Sequence, residues 1–321
     1  MSASTVETDA NSSKYDKLIE AAMANPAVST AVVYPCDERS LRSVDDARDS
    51  ALISPILVGP ADLIHRTAAE CGISLHDLEI VEAADPNAAA ARAVALVHEG
   101  RAQMVMKGSL HTDELMRAVT SSSTGLRTSR RISHVFIMDV PTHRDTLFIT
   151  DAAINIAPDL DTKRDIVQNA VDLFNDIGLG TPRVAILSAV ETVTPKIPST
   201  IEAAALCKMS ERDQIRNAIL DGPLAFDNAI DPNAARLKKI RSEVAGRAQI
   251  LVVPDLEAGN MLAKNLTFLL KADAAGLVLG ARVPIVLTSR ADSIRTKMAS
   301  CAVGSLYANA RRRTVASMPS V

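Results

Sequence analysis

The sequence has few of the residues that nucleic-acid binding requires. Aromatic residues make up only 2% of the 321 residues and tryptophan is absent, so surfaces on which unpaired bases could stack are scarce. The formal net charge of −3 provides no basic field for a phosphodiester backbone. These shortages argue against a nucleic-acid partner.

Cysteine is also sparse, and its spacing is uninformative. The four cysteines, Cys36, Cys71, Cys207 and Cys301, form no CxxC pair, which argues against both a zinc site and a disulfide framework. No apolar run approaches the roughly 18 residues of a membrane-spanning helix. The first dozen residues are polar and lack the pattern of a signal peptide. We therefore expect reduced thiols, no metal, no membrane partner and a cytoplasmic location.

The residues that are present predict a two-domain α/β protein. The chain exceeds the usual size of one domain, and its 47% hydrophobic residues suffice for substantial cores. Strand-like and helix-like segments alternate in the first 133 residues, which predicts a parallel, doubly wound sheet. From His134 onward, segments 134–140 and 146–150 predict an antiparallel hairpin, so we place a domain crossover there.

Local signals predict where several helices begin and end. Gly72 follows an apolar helical pattern and is expected to end it in a left-handed conformation. Asp85, followed by a proline, predicts an N-cap, and Asp161 is the predicted N-cap of a helix over 162–177. Residues 220–232 carry several turn residues and are predicted to form a loop.

Polar residues follow two predicted strands in the stretch from Val252 to Ser293. One strand, 250–253, is followed by Asp255, Gly259 and Asn260, and the other, 284–288, is followed by Ser289, Arg290 and Asp292. Ligands of open α/β sheets bind beyond the carboxyl ends of strands. We therefore place the chemistry at these two junctions.

The segment from Ser289 to Asp292 has two interpretations. The planar fork of Arg290 matches phosphate oxygens, Ser289 adds a hydroxyl donor, and Asp292 can exchange a proton. Alternatively, Ser289 or Asp292 caps the following helix and Arg290 forms a salt bridge.

A second predicted anion site follows another short strand, 104–106. Lys107, Gly108 and Thr112 combine an ammonium group, a free backbone amide and a helix start, as in a phosphate cradle, although the Walker spacing is absent. Arg117 and Arg127 would add positive charge to the same cleft. The alternative for this segment is a turn with solvated basic side chains. The histidines His134 and His143 show no metal-ligand spacing and are interpreted as structural.

Several segments together resemble the phosphate acetyltransferase and phosphate butyryltransferase family. They include MKGSLHT from Met106, PDLEAGN from Pro254 and LTSRADS from Leu287, and the matching segments span most of the chain in order. The MKGSLHT and LTSRADS segments are closer to the butyryl branch. The resemblance implies an enzyme that transfers an acetyl or short acyl group between coenzyme A and inorganic phosphate by direct attack, without a tightly bound cofactor. The alternatives are a butyryl enzyme with the same mechanism and a dehydrogenase or decarboxylase of the same fold.

The resemblance also implies an architecture and site roles. The fold would be similar to isocitrate and isopropylmalate dehydrogenases, with residues 1–133 plus 291–321 in one domain, 134–290 in the other, and a homodimer with its active site in the interdomain cleft. Ser289 and Arg290 match the family's Ser-Arg pair, Arg117 a substrate-binding arginine, and the loop from Asp255 to Asn260 a cleft-lining loop. Acetyl enzymes carry an aspartate where this chain has Thr296, which leaves Asp292 as the candidate base.

Overall fold

The computed structural model describes residues 14–287 and 292–317, in which strands and helices alternate. Within these residues, no helix is both long enough and apolar enough to span a bilayer. The strands are β1 (Val28–Val33), β2 (Ile53–Gly59), β3 (Glu79–Glu82), β4 (Met104–Lys107), β5 (Ser133–Asp139), β6 (Leu147–Thr150), β7 (Arg183–Leu187), β8 (Ile219–Leu224), β9 (Ile250–Val252), β10 (Asp273–Leu279) and β11 (Ile285–Val286). The helices are α1 (Lys14–Met23), α2 (Glu38–Asp49), α3 (Ala61–Cys71), α4 (Pro86–His98), α5 (Thr112–Thr120), α6 (Leu160–Asp176), α7 (Pro198–Glu211), α8 (Phe226–Ile230), α9 (Pro232–Leu237), α10 (Leu256–Leu270) and α11 (Ile294–Ser317).

The described strands form one mixed sheet in the order β3-β2-β1-β4-β11-β10-β5-β6-β9-β7-β8. From β3 to β11 all neighbours are parallel. The direction reverses at β10, again at β5 and again at β6, and the remaining neighbours are parallel. The predicted parallel sheet with an antiparallel component is confirmed. Because of the reversals, some strands have their carboxyl ends on one side of the sheet and the others on the opposite side. These two sides, at which the strands begin and end, are called the edges of the sheet below.

Most helix ends follow the local signals in the sequence. The Asp85 carboxylate accepts a hydrogen bond from the backbone N–H of Ala88, and Gly72 ends α3 with φ of 68°. The N-cap predicted for α6 was wrong, because Asp159 fills that position and accepts from the N–H of Thr162. Asp159 and Asp161 both lie at the start of α6, but only Asp159 has the extended backbone that an N-cap requires.

The loop predicted at 220–232 was also wrong, since β8 and two short helices occupy this segment. β8 pairs with β7 in parallel despite the sequence Gly222-Pro223. β8 is the last strand of the sheet and pairs with a described strand on one side only. On its other side a proline without an N–H group is tolerated. Its turn-like composition therefore reflects an edge strand.

The hydrophobic core is continuous on one face of the sheet and divided on the other. On the first face, α6 and α11 pack over strands from β1 to β7 in a single cluster. On the second face, one cluster joins β1, β4 and β11 to α4 and α5, and another joins β6, β7 and β9 to the α10 side. The first of these clusters reaches Val278 of β10 and the second reaches Met138 of β5. The boundary between the two clusters, called the gap below, therefore lies on this face over β10 and β5.

Candidate active site

The ends of β4 and β11 lie side by side. Ile285 pairs with Val105 and Val286 pairs with Met106 in parallel register, so Lys107 and Leu287 leave the sheet at the same edge. Ser289 and Arg290 lie outside the described residues, and their nearest described neighbours are Leu287 and Asp292. The partly buried Asp292 lies two residues before the start of α11.

Gly108 is pressed against the backbone that follows β1. A Cβ atom at this position would lie 2.4 Å from the carbonyl oxygen of Val33 and 2.7 Å from that of Tyr34. The N–H of Gly108 donates to Val33 O at 2.9 Å, and the N–H of Ser109 donates to Tyr34 O at 2.9 Å. Only glycine permits this approach, which joins the loops after β1 and β4 into one surface beside the buried Lys107.

Thr112 and Arg117 lie on α5, which follows this surface. Thr112 is the exposed first residue of the helix, and the backbone N–H of His111 donates to the carboxylate of Glu114 at 2.8 Å. The acidic group therefore occupies part of the positive helix end. Arg117 is exposed and lies 3.7 Å from Asp113, one turn earlier, so it points away from the core.

Arg127 lies at the other edge of the sheet. It forms an antiparallel bridge with Ala281, beyond the carboxyl end of β10, whereas Lys107 ends β4 at the opposite edge. Val286 pairs with Leu277 on one side and with Met106 on the other, so Leu277 and Met106 lie at the same height in the sheet. Ala281 lies four residues beyond Leu277, which is roughly 13 Å along the strand. The Arg127 backbone therefore lies toward the opposite end of the strands from Lys107, and a shared cleft for the two side chains stays a prediction.

Asp255, Gly259 and Asn260 hold α10 against the loop that follows β6. The Asp255 carboxylate caps α10 by accepting from the N–H of Ala258 at 2.8 Å. The side-chain amide of Asn260 donates to the carbonyl of Ala152 at 3.3 Å. A Cβ on Gly259 would lie 2.9 Å from the Ala152 Cβ atom, so glycine is needed for the helix to approach this loop.

The structure therefore separates the predicted residues into two groups. β9, which precedes Asp255, is five strands from β4 and runs in the opposite direction, a lateral distance of roughly 24 Å. Lys107, Gly108 and Thr112 belong to the side of β4 and β11, and the Asp255 group belongs to the side of β6 and β9. The gap over β10 and β5 lies between them.

His134 forms part of the floor of this gap. Its ring is buried and meets Phe136 edge to face, with 4.4 Å between centroids. A Cβ on Gly276 would lie 2.9 Å from His134 Nε2 and 3.1 Å from the carbonyl oxygen of Leu287. Gly276 thus makes room for the imidazole, which lies within about 6 Å of the backbone entering the 288–291 segment.

The environment of His134 favours its neutral form. Burial lowers the pKa of the imidazole to about 4, while the negative charge of Asp151 opposes this shift. Nδ1 has no hydrogen-bond partner among the described residues. A neutral imidazole can donate through one nitrogen and accept through the other.

Asp151 organises the loop that crosses the gap. Its carboxylate accepts hydrogen bonds from the backbone N–H groups of Ala153, Ile154 and Asn155. The Asn155 amide also donates to the carbonyl of Ile132 at 2.9 Å. No role was predicted for this loop from the sequence, and His134 was interpreted as structural. The spacing DAAIN after a predicted strand was the available signal.

Comparison with known proteins identifies the family. The family model described as phosphate acetyl/butaryl transferase matches residues 86–304. A phosphate acetyltransferase of Rhizobium meliloti is 70% identical over 95% of this chain and 96% of its own length. A phosphate butyryltransferase of Clostridium acetobutylicum is 41% identical over 92% of this chain and 98% of its own length.

Solved structures support the same assignment. The branched-chain phosphotransacylase from Enterococcus faecalis V583 matches with a TM-score of 0.75 and 32% identity, covering 87% of this chain and 99% of the other. A 4-hydroxythreonine-4-phosphate dehydrogenase from Klebsiella pneumoniae matches with a TM-score of 0.54 and 12% identity, over 88% and 100%. The second match shows the fold alone and confirms the predicted dehydrogenase-like architecture. From the family model and the 70% identical relative, we conclude that this chain belongs to the phosphate acetyl/butaryl transferase family of acyltransferases, as the sequence resemblance predicted.

Proposed function

We propose that this chain is a phosphate acetyltransferase that exchanges an acetyl group between coenzyme A and inorganic phosphate in a ternary complex. The observation that carries the proposal is the parallel pairing of β4 and β11, because it brings the Lys107–Gly108 surface beside the strand that leads to Ser289 and Arg290. The 70% identity to a phosphate acetyltransferase supports the acetyl substrate.

The proposed reaction needs two anions held close together. A phosphate oxygen attacks the thioester carbonyl carbon, the C–S bond breaks, and coenzyme A leaves as a thiolate that takes up a proton. Arg290 holds the phosphate, Ser289 stabilises the developing charge, and Asp292 exchanges the proton. Lys107 and Arg117 add positive charge for phosphate or the coenzyme A pyrophosphate, which reduces the cost of bringing the anions together.

The Asp255 group is proposed to form the opposite wall of the cleft. Asp255, Gly259 and Asn260 fix the loop around Ala152, and the substrates are proposed to bind beside this loop. We propose that the chain forms two domains, 1–133 plus 291–321 and 134–290, with the active site between them. Coenzyme A thioester and phosphate enter as substrates, with no tightly bound cofactor.

A phosphate butyryltransferase is the alternative, since the MKGSLHT and LTSRADS segments are closer to that branch. The test is thiol release from acetyl-, propionyl- and butyryl-CoA, each with and without phosphate. We expect phosphate-dependent release that is fastest with acetyl-CoA. Faster release with butyryl-CoA would assign the butyryl activity, and no phosphate-dependent release from any of the three would refute the proposed function.

The role of Arg290 is tested by Arg290→Ala in the same assay. Loss of a group that holds charge in the transition state should lower phosphate-dependent turnover by about 100-fold or more. Arg66→Ala, which removes an exposed arginine from α3, is the matched control and should keep full turnover. Near-normal turnover in Arg290→Ala would show that Arg290 does not hold the phosphate.

We also infer that the protein is a cytoplasmic homodimer. Phe268 and Leu269 near the end of α10 are 71% and 75% exposed, and Met261 on the same helix is 60% exposed. A second copy that packs against this helix would remove the apolar side chains from water. The cytoplasm supplies both the acyl-CoA and the phosphate that the proposed reaction requires.

A further inference from the structure

A pocket lies at the edge of the sheet opposite Lys107. It has a volume of about 640 Å³ and is formed by the residues before β11, the loop before β5 and the last turns of α11. Small-molecule sites typically have volumes of about 300–1,000 Å³. Because Pro284 lies at the amino end of β11, the pocket lies on the opposite side of this strand from the carboxyl end that leads to the proposed catalytic segment.

Four arginines surround this pocket, and most are held in place by other side chains. Arg311 pairs with Asp176 at 2.8 Å and with Asp172 at 3.0 Å, and Arg130 pairs with the same Asp172. Arg312 donates to the amide oxygen of Gln103 at 2.9 Å. These contacts fix the guanidinium groups before any ligand arrives, which lowers the entropy cost of binding.

Positive charge exceeds negative charge in this pocket. The four arginines Arg130, Arg282, Arg311 and Arg312 line it, while Asp172 and Asp176 are the two carboxylates that pair with them. Four positive and two negative groups leave an excess of two positive charges. Arg282 is exposed and makes no ion pair with the part of the chain that the structure describes, so its planar donors are available to an anion.

The pocket also has an apolar wall. Tyr307, Val283, Pro284 and Ala308 contribute to its lining, and the Arg311 guanidinium lies over the Tyr307 ring, 5.0 Å from its centroid. A flat ring system can pack against such a wall, whereas a simple inorganic anion would leave it wet. The combination fits a ligand with an anionic end and a flat, weakly polar body.

We propose that this pocket binds an organic phosphate of nucleotide size. Its phosphate groups lie against Arg282 and Arg312, and its base lies against Tyr307 and Pro284. The proposal goes beyond acyl transfer and does not rest on it, because it depends only on the charge, shape and position of this pocket. Coenzyme A contains a nucleotide, so the test must distinguish this pocket from the proposed cleft.

The test is isothermal titration calorimetry of the full chain with ADP, adenosine and pyrophosphate as probes. We expect ADP to bind more tightly than either part, and its affinity to fall with salt. Arg282→Glu should weaken ADP binding about tenfold or more, since a charged hydrogen bond is replaced by repulsion. Arg66→Glu, the same change on exposed α3, should leave ADP affinity unchanged. Thermal unfolding of each variant checks that it is folded.

Three outcomes would overturn the proposal. They are no ADP binding by the wild type, equal ADP affinity in Arg282→Glu and wild type, and loss of ADP binding in Arg117→Ala with no loss in Arg282→Glu. The last outcome would assign ADP to the proposed cleft. Acyl transfer is measured in the same preparations, so a protein that binds ADP through Arg282 but transfers no acyl group would refute the proposed function and support this pocket.

Discussion

Replacement of Gly108 by alanine tests whether the close approach after β4 is required. The new methyl group would lie 2.4 Å from Val33 O and 2.7 Å from Tyr34 O. Both obstacles are backbone atoms, so no side chain can rotate away. Relief requires the loops after β1 and β4 to separate, which weakens the hydrogen bonds from Gly108 N–H to Val33 O and from Ser109 N–H to Tyr34 O.

The expected cost follows from these contacts. Loss of two backbone hydrogen bonds costs about 2 kcal/mol, and overpacking adds about 2 kcal/mol. The lower entropy of the unfolded alanine chain offsets about 0.7 kcal/mol, so Gly108→Ala should lower the free energy of unfolding by about 3 kcal/mol. An unfolding entropy of about 2.1 cal/mol/K per residue, applied to 321 residues, converts this into a Tm about 4 to 5 °C lower.

The assay is thermal unfolding followed by circular dichroism, with Gly178→Ala as the control. Gly178 has a φ of +84°, and no atom lies within 4 Å of the position that a methyl group would take there. That variant therefore suffers backbone strain of about 1 to 2 kcal/mol without a steric collision, which exceeds the stabilisation from the lower entropy of its unfolded chain. Phosphate-dependent turnover should also fall in Gly108→Ala, because the displaced loop carries Lys107. A Gly108→Ala protein at least as stable as Gly178→Ala would refute the reasoning.

Three further predictions concern other parts of the molecule. Asp255→Ala should lower the free energy of unfolding by about 1 kcal/mol through loss of the α10 cap. Asp255→Asn should keep most of the stability that the cap provides, because asparagine also caps helices. Equal Tm values for wild type and Asp255→Ala would contradict the role of Asp255 as the cap. Because the pKa of His134 is about 4 in the folded chain and about 6.5 when unfolded, the unfolded chain binds the proton first, so stability should decrease as pH falls from about 6.5 to 4. Urea unfolding should show a smaller decrease in His134→Asn, and an equal decrease in both proteins would count against it. Phe268→Glu should convert the proposed dimer to a monomer in light scattering, whereas Arg66→Glu on exposed α3 should not; a monomeric wild type would exclude this interface.

The sequence alone predicted much of the local structure. Gly72 and Asp85 were identified correctly as helix ends, and the hairpin of β5 and β6 was predicted from its apolar pattern. These features depend on hydrogen bonds and backbone preferences within a few residues, so the sequence shows them directly. The family was also recognisable, because its segments are continuous in the chain.

Strand order and direction were decided only by the tertiary structure. β11 lies between β4 and β10, although β4 is far away in the sequence, and β9 runs opposite to β11. From the sequence, Arg127 was therefore grouped with Lys107, while the fold places the backbones of the two residues at opposite edges.

The close packing at Gly108 and Gly276 likewise depended on the fold. Each glycine accommodates atoms from a distant part of the chain: the backbone after β1 for Gly108, and His134 for Gly276. The sequence determined which segments form helices and strands and which family they belong to. The burial of apolar faces decides which strand ends meet and which side chains lie together. This burial joins residues that are far apart in the chain, so no local sequence pattern records the contacts.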